Sequence, residues 1–249
     1  MDRAEPLIQA LLDDLVADDP VLATRLGLTA GADRLPSWSA SALSARVRML
    51  RGHEVRLREL LRDEDTGTAI DAFAGVQITR RLLRDLELRR VQNRQPTRYL
   101  DVAQGLFPLL VRELGTPDER VAAVAGRLRA VPGLLEEARA NLEPGLPAAS
   151  VAGGIEYAEG LTDLFGPTVR EFAAGAGREG ALDEASRAAC AALGRFTAYL
   201  RDELAPGAAL RGCAGSTVVA DLLRWEHVLD EPPEALVDYG RRTLAETRA

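Results

Sequence analysis

The sequence predicts an all-α fold, a multi-helix array of long amphipathic helices, and three observations predict it. Apolar residues recur at three- and four-residue steps along most of the chain, and helix caps stand where those stripes begin. Strand-like alternation bounded by turn residues is convincing nowhere.

Taken in order, Asp19-Pro20 opens a short helix that Gly27 closes, since proline suits a first helical position and glycine the position past a last turn. From Thr116 the run T-P-D-E is a capping box, with Pro117 first in the helix and Glu119 placed to reach back to the cap. Val121, Val124, Leu128 and Val131 then share one stripe. A second stripe holds Val151, Ile155, Ala158, Phe165, Val169 and Phe172, and a third holds Leu182, Ala185, Ala189, Leu193, Phe196 and Leu200. Helices are therefore expected over 5–17, 20–26, 40–62, 68–90, 97–114, 117–130, 131–142, 148–174, 180–204, 217–229 and from 233 to the end. Pro108 and the pair Gly166-Pro167 are expected to kink or divide their helices, because proline removes a donor and crowds the preceding turn. Residues 1–249 read as a single helical domain, with the Pro- and Gly-rich stretch 144–154 as the candidate subdivision.

Composition excludes several functions. The chain has 249 residues, 47% of them hydrophobic and 28% charged, an ordinary globular mix. All 31 basic residues are Arg, so a P-loop, a pyridoxal phosphate Schiff base and any Lys nucleophile are absent. A net charge of −7, with Arg scattered among acids, argues against nucleic acid as a partner. The stretch from Met1 to Asp14 has no apolar core of the kind an export signal needs, and no uncharged stretch approaches the roughly 20 residues of a membrane helix. The expected location is the cytoplasm, away from membranes.

The search for reactive groups returns no catalytic, metal or binding residue. Cys190 and Cys213 form no CxxC and lack His neighbours at ligand spacing, which leaves them as small core or surface thiols. His53-Glu54 begins like a zinc HExxH helix, but Leu57 stands where the second His belongs, so His53 reads as a helix-face residue beside Leu50 and Leu60. His227 follows Trp225 and Glu226 on an expected helix and reads as an interior polar group with a partner. The run from Gly212 to Ser216 lacks GxGxxG spacing and a preceding strand, and reads as a loop with Ser216 capping the next helix. The acid pairs Asp13-Asp14, Asp18-Asp19 and Glu136-Glu137, and the triplet Asp63 to Asp65, read as solvated or dipole-matched charges.

Three segments carry a family resemblance. They are D-P-V-L-A-T-R-L-G (Asp19 to Gly27), R-L-R-A-V-P-G-L-L-E-E-A-R-A-N-L (Arg127 to Leu142), and Tyr199 to Leu204 leading into L-L-R-W-E-H-V-L-D-E-P-P-E-A-L-V-D-Y-G (Leu222 to Gly240). In order and spacing they resemble the N-terminal half of the bacterial domain-of-unknown-function family number eight hundred and eighty-five. Full members resemble all-helical zinc metallopeptidases whose HExxH helix lies in the C-terminal half. The resemblance implies the N-terminal portion of a larger metallopeptidase-like architecture. It transfers no catalytic residue, because no HExxH is present. Zinc is expected only with a C-terminal half, and this chain alone is expected to hold no cofactor and to be inactive. The pattern of Leu236, Gly240, Thr243 and Leu244 runs toward Ala249 without a residue that ends a helix, so a fragment or half of a split enzyme is expected.

Two functional expectations follow. In one, the chain is the non-catalytic half of a metallopeptidase-like hydrolase, supplying scaffold and cleft wall. In the other, it is a stand-alone helical binding or scaffold protein. Its expected partner is a C-terminal half or a second copy, met through the helices from Thr217 onward, where Leu222, Trp225, Leu229, Leu236 and Leu244 are expected to leave apolar surface uncovered.

Overall fold

The computed structural model describes residues 3–63, 65–209, 212 and 215–248. Among the described residues, thirteen α-helices run in the order α1 (Glu5–Asp18), α2 (Pro20–Arg25), α3 (Ala40–Glu59), α4 (Thr66–Glu87), α5 (Val91–Arg94), α6 (Pro96–Ala103) and α7 (Phe107–Val111). They continue through α8 (Pro117–Asn141), α9 (Ala148–Asp163), α10 (Val169–Gly175), α11 (Asp183–Tyr199), α12 (Ser216–Trp225) and α13 (Pro233–Thr247). Among the described residues there is no strand, only one isolated parallel bridge from Pro147 to Ala209. The fold is all-α.

The chain divides into two compact units. One comprises Met1–Gln9, Val47–Arg90 and Cys213–Ala249, and the other Ala10–Arg46 and Val91–Gly212, so the stretch 144–154 lies inside the second.

In the second unit, α11 lies against α8 and α9, and α6 lies against the same two helices. The stripes read from sequence supply this core: Val121, Val124, Leu128 and Val131 of α8 are buried, as are Leu182, Ala189, Leu193, Phe196 and Leu200. Burying each large side chain contributes roughly 2 kcal/mol, which fixes the helices by their apolar faces. Asp19 caps α2 by accepting from the backbone N–H groups of Val21 and Leu22, and Gly27, at φ +88°, turns the chain away behind it. The Thr116–Glu119 capping box forms at the start of α8, and the bonds from Thr116 hold the Glu119 carboxyl below its ordinary range.

In the first unit, Ala4, Leu60 and Ala72 form a buried cluster against which Leu7 and Leu61 pack. Gly75 of α4 has a packing reason. A Cβ there would lie 2.6 Å from Ile8 Cδ1 and 2.8 Å from Leu57 Cδ1, so a larger residue would push both side-chain ends aside. Asp65 caps α4 through Thr68, whose hydroxyl and N–H lower the Asp65 pKa. The helix α12 touches α4 and α13, and inserts Leu223 as its buried residue.

Several boundaries differ from the sequence reading. The two helices expected over 117–130 and 131–142 are one, α8, with Pro132 inside it. Buried Leu128, Val131, Leu134 and Leu135 hold both sides of that proline, and their packing outweighs the lost backbone bond. Pro108 does divide its helix, with a 3₁₀ turn over Gln104–Leu106 leading into α7. The Gly166-Pro167 site is a π turn, Leu164–Thr168, and Ser186 Oγ of α11 donates to the Phe165 carbonyl within it. A second π turn, Leu200–Leu204, follows α11. Ser216 does not cap α12. Gly215, at φ +81°, holds that position and makes no side-chain bond.

Candidate functional site

His53 sits on the inner face of α3, 1% exposed, with its Nδ1 3.2 Å from Arg56 Nη2, as a helix-face residue should. His227 differs from expectation. The helix α12 stops at Trp225, so His227 lies beyond it and is exposed rather than interior, just before Val228 at φ +56°. Cys190 is half-buried, and burial pushes its thiol pKa up, away from nucleophilic character. Cys213 lies outside the described residues. The acid pairs are accounted for in part by structure: Asp19 caps α2, Asp18 pairs with Arg46, and Glu137 binds a loop. Glu64 lies outside the described residues. Among the described residues, no group of three His, Cys, Asp or Glu is placed to hold a metal ion.

Two buried polar centres in the second unit went unread in the sequence. The first surrounds Arg127 of α8, which is fully buried. Its guanidinium donates to the carbonyls of Gly105 and Pro20 and to Thr24 Oγ1, joining α8 to α2 and to the 3₁₀ turn. Among the described residues, Nε has no hydrogen-bond partner. Burial lowers its pKa to about 10, against the pull of Asp19 and Asp33. A signal existed: Arg127 falls three residues after Val124 and four before Val131, on the buried stripe itself.

The second centre surrounds Trp38. Its backbone N–H donates to Glu137 Oε2 at 2.6 Å, and Asn141 Nδ2 donates to its carbonyl at 2.8 Å and to Tyr99 Oη at 3.0 Å. Tyr99 Oη donates in turn to the Gln92 carbonyl at 2.7 Å. The Trp38 and Tyr99 rings meet edge to face with centroids 5.4 Å apart, while Arg46 and Arg98 stand 5.1 and 5.5 Å from the Trp38 ring centre. Burial raises the Tyr99 pKa above the ordinary phenol range, so the group stays a neutral donor. Neither centre pairs a nucleophile with a base. Both tie loops to helices.

The first unit carries a clamp and an open depression. Trp225, at the end of α12, lies under Arg80 of α4 with the guanidinium 4.0 Å from the ring centre, and Arg84 stands 5.1 Å away. Arg84 pairs with Asp221, and Arg89 with Glu226 at 2.8 Å. Trp225 and Leu222 are thus half-buried rather than bare, whereas Leu229, Leu236 and Leu244 are exposed as expected. A depression of about 420 Å³ between α1 and α4 is lined by Glu5, Ile8, Gln9, Asp71, Ala74, Gly75 and Ile78. Among its described lining residues there is no His, Cys, Ser or Thr.

The helix α13 leaves its apolar side chains exposed. Its fifteen residues include no buried one, and Leu236, Val237, Tyr239 and Leu244 are 36%, 52%, 62% and 51% exposed. At 100° per residue these side chains share one face with Gly240 and Thr243, opposite Asp238 and Arg242.

The sequence matches the family described as "Bacterial protein of unknown function (DUF885)" over residues 20–249. The chain belongs to this family. Among solved structures, the DUF885 chain is similar to one described as "a putative lipoprotein of unknown function" from Shewanella oneidensis, at 16% identity and a TM-score of 0.73. The likeness covers 83% of this chain and 38% of that one. It shows a shared helical fold, and the chain spans well under half the length of that relative. No curated protein matches the sequence. Among the described residues, no helix is long and apolar enough to cross a membrane.

Proposed function

We propose that this DUF885 chain is the non-catalytic N-terminal part of a zinc metallopeptidase-like hydrolase, supplying helical scaffold and one cleft wall to a part that holds the metal. The observation that carries the reading is α13, an amphipathic helix without a buried residue. A lone helix of this length is marginal in water, and an apolar stripe along it is a face shaped for packing on another element. The longer relative supports the same reading, because this chain accounts for 38% of it.

The test is co-expression with the HExxH-bearing C-terminal part of a longer DUF885 member. The expected result is a stable complex that holds one zinc and cleaves peptides, neither half doing so alone. A C-terminal part that is fully active without this chain overturns the proposal. The alternative, a stand-alone helical binding or scaffold protein, draws on the same uncovered face and needs no second half. It predicts no complex and an α13 surface that captures an unrelated partner.

A further inference from the structure

The last two helices of the first unit are seated on α4 by charge more than by apolar burial. Of the ten residues of α12 one, Leu223, is buried, and α13 buries none. Arginines supply the rest of the seat. Arg84 pairs with Asp221, Arg89 pairs with Glu226 at 2.8 Å, and the Arg80 guanidinium lies 4.0 Å from the centre of the Trp225 ring. Arg80 and Arg84 stand one turn apart, so one face of α4 presents both to that ring. Two of the three arginines are shared. Arg80 also holds Glu54 of α3 at 2.7 Å, and Arg89 holds Asp85 at 2.9 Å, so both keep an acid whether or not α12 is in place.

Two features work against the seated state. Arg89 Nε is buried without a hydrogen-bond partner among the described residues, a cost that opening to water removes. Val228 follows α12 at φ +56°, a left-handed conformation that glycine adopts freely and a β-branched residue does not. The turn at Val228 is closed by the Leu229 N–H, which donates to the carbonyl of Leu223 at 2.8 Å. Leu223 is the residue that α12 buries, so the backbone strain and the seat are held together.

We infer that α12 is a strap on α4, held shut by charge against backbone strain at Val228 and opened by salt. Screening weakens the ion pairs and leaves the strain untouched, so added salt shifts the strap toward its open state. Opening parts Arg84 from Asp221 and uncovers the arginine edge of α4. It carries α13 along, because α13 packs on α12 and buries no residue of its own. The ten residues of α12 are too few to hold a helix alone in water, so the open strap frays. The inference stands on the α12 clamp and does not require α13 to meet a C-terminal part.

Hydrogen exchange of the full chain tests it, read on the α12 amides with those of α8 and α11 as reference. Raising sodium chloride from about 0.05 M to about 0.5 M should speed α12 exchange about threefold. Asp221→Asn should speed it about fivefold at low salt and cut the further response to salt by about half. Val228→Gly should act in the opposite direction and slow α12 exchange about threefold, because it relieves the strain and leaves every charge in place. The reference amides should hold their rates throughout. Exchange of α12 that ignores both salt and Asp221→Asn, or that Val228→Gly speeds or leaves unchanged, overturns the inference. Reference amides that open together with α12 overturn it as well, since the strap would then not move apart from the rest of the fold.

Discussion

Helices α11 and α13 begin from similar sequences and end in opposite environments. Both are amphipathic and of comparable length, 17 and 15 residues, yet α11 buries Ala189, Leu193 and Phe196 among its inner face while α13 buries nothing. The difference lies in what faces them. The α11 stripe meets α8 and α9, whereas among the described residues α13 has α12 alone as a neighbour of more than passing contact. Amphipathicity specifies which face wants cover, and the neighbouring chain decides whether cover is there. This is why we propose the uncovered stripe as an association surface.

The sharpest way to break that contrast is paired truncation. Phe196→Ala on α11 should cost about 4 kcal/mol in urea unfolding, while Leu244→Ala on α13 should change the monomer's stability by no more than about 0.5 kcal/mol. Equal costs would mean that α13 is covered after all. Next in size, Arg127→Met keeps most of the volume but takes the Arg127 donor from the Gly105 carbonyl and from Thr24 Oγ1, and leaves the Pro20 carbonyl with Thr24 Oγ1 as its side-chain donor, so a loss of about 3 kcal/mol is expected in the same assay. Trp225→Ala removes the ring under Arg80 and Arg84, and should cost about 1.5 kcal/mol, confined to the C-terminal helices. Hydrogen exchange checks it: amides of α12 should exchange about tenfold faster while those of α8 and α11 hold their rates. Thr116→Ala should cost about 1 kcal/mol by removing half of the capping box on α8.

The smallest effect is a pH dependence. Asp65 and Glu119 have folded pKa values below their ordinary 3.8 and 4.5, because each carboxylate accepts bonds at a helix start. A depressed folded value means that these caps stabilise the protein fully above the ordinary values and lose their contribution as pH falls through the lowered ones. Amide shifts of Thr68 and Glu119 should therefore move together with fraying of the first turns of α4 and α8 below about pH 4. Shifts that begin above pH 5 would contradict the assignment.

Much of the fold was legible because the rules that write it are local. Asp19 with Pro20, and Thr116 with Glu119, announce helix starts by chemistry that needs no distant partner. The stripe through Leu193 and Phe196 announces a buried face. What failed was decided by packing. Pro132 reads as a break, yet buried side chains on both sides carry α8 through it. Ser216 reads as a cap, but the chain reaches α12 through Gly215. His227 reads as interior only if the helix continues to it, and α12 ends two residues earlier. No reactive site was predicted from the sequence. The Trp38 centre was invisible because Trp38, Tyr99 and Asn141 lie in separate segments that no spacing rule connects.

The setting of Arg127 bears on how the protein reaches its native state. Its acceptors stand 22, 103 and 107 positions away along the chain, so α8 can coil long before the guanidinium finds Pro20, Thr24 and Gly105. Until then the cation keeps its water, and the final docking of α2 must strip that water and close a loop of about a hundred residues in one late event. We expect such a contact to form after the rate-limiting barrier. Its removal should hasten unfolding in proportion to the lost stability while leaving the refolding rate almost unchanged.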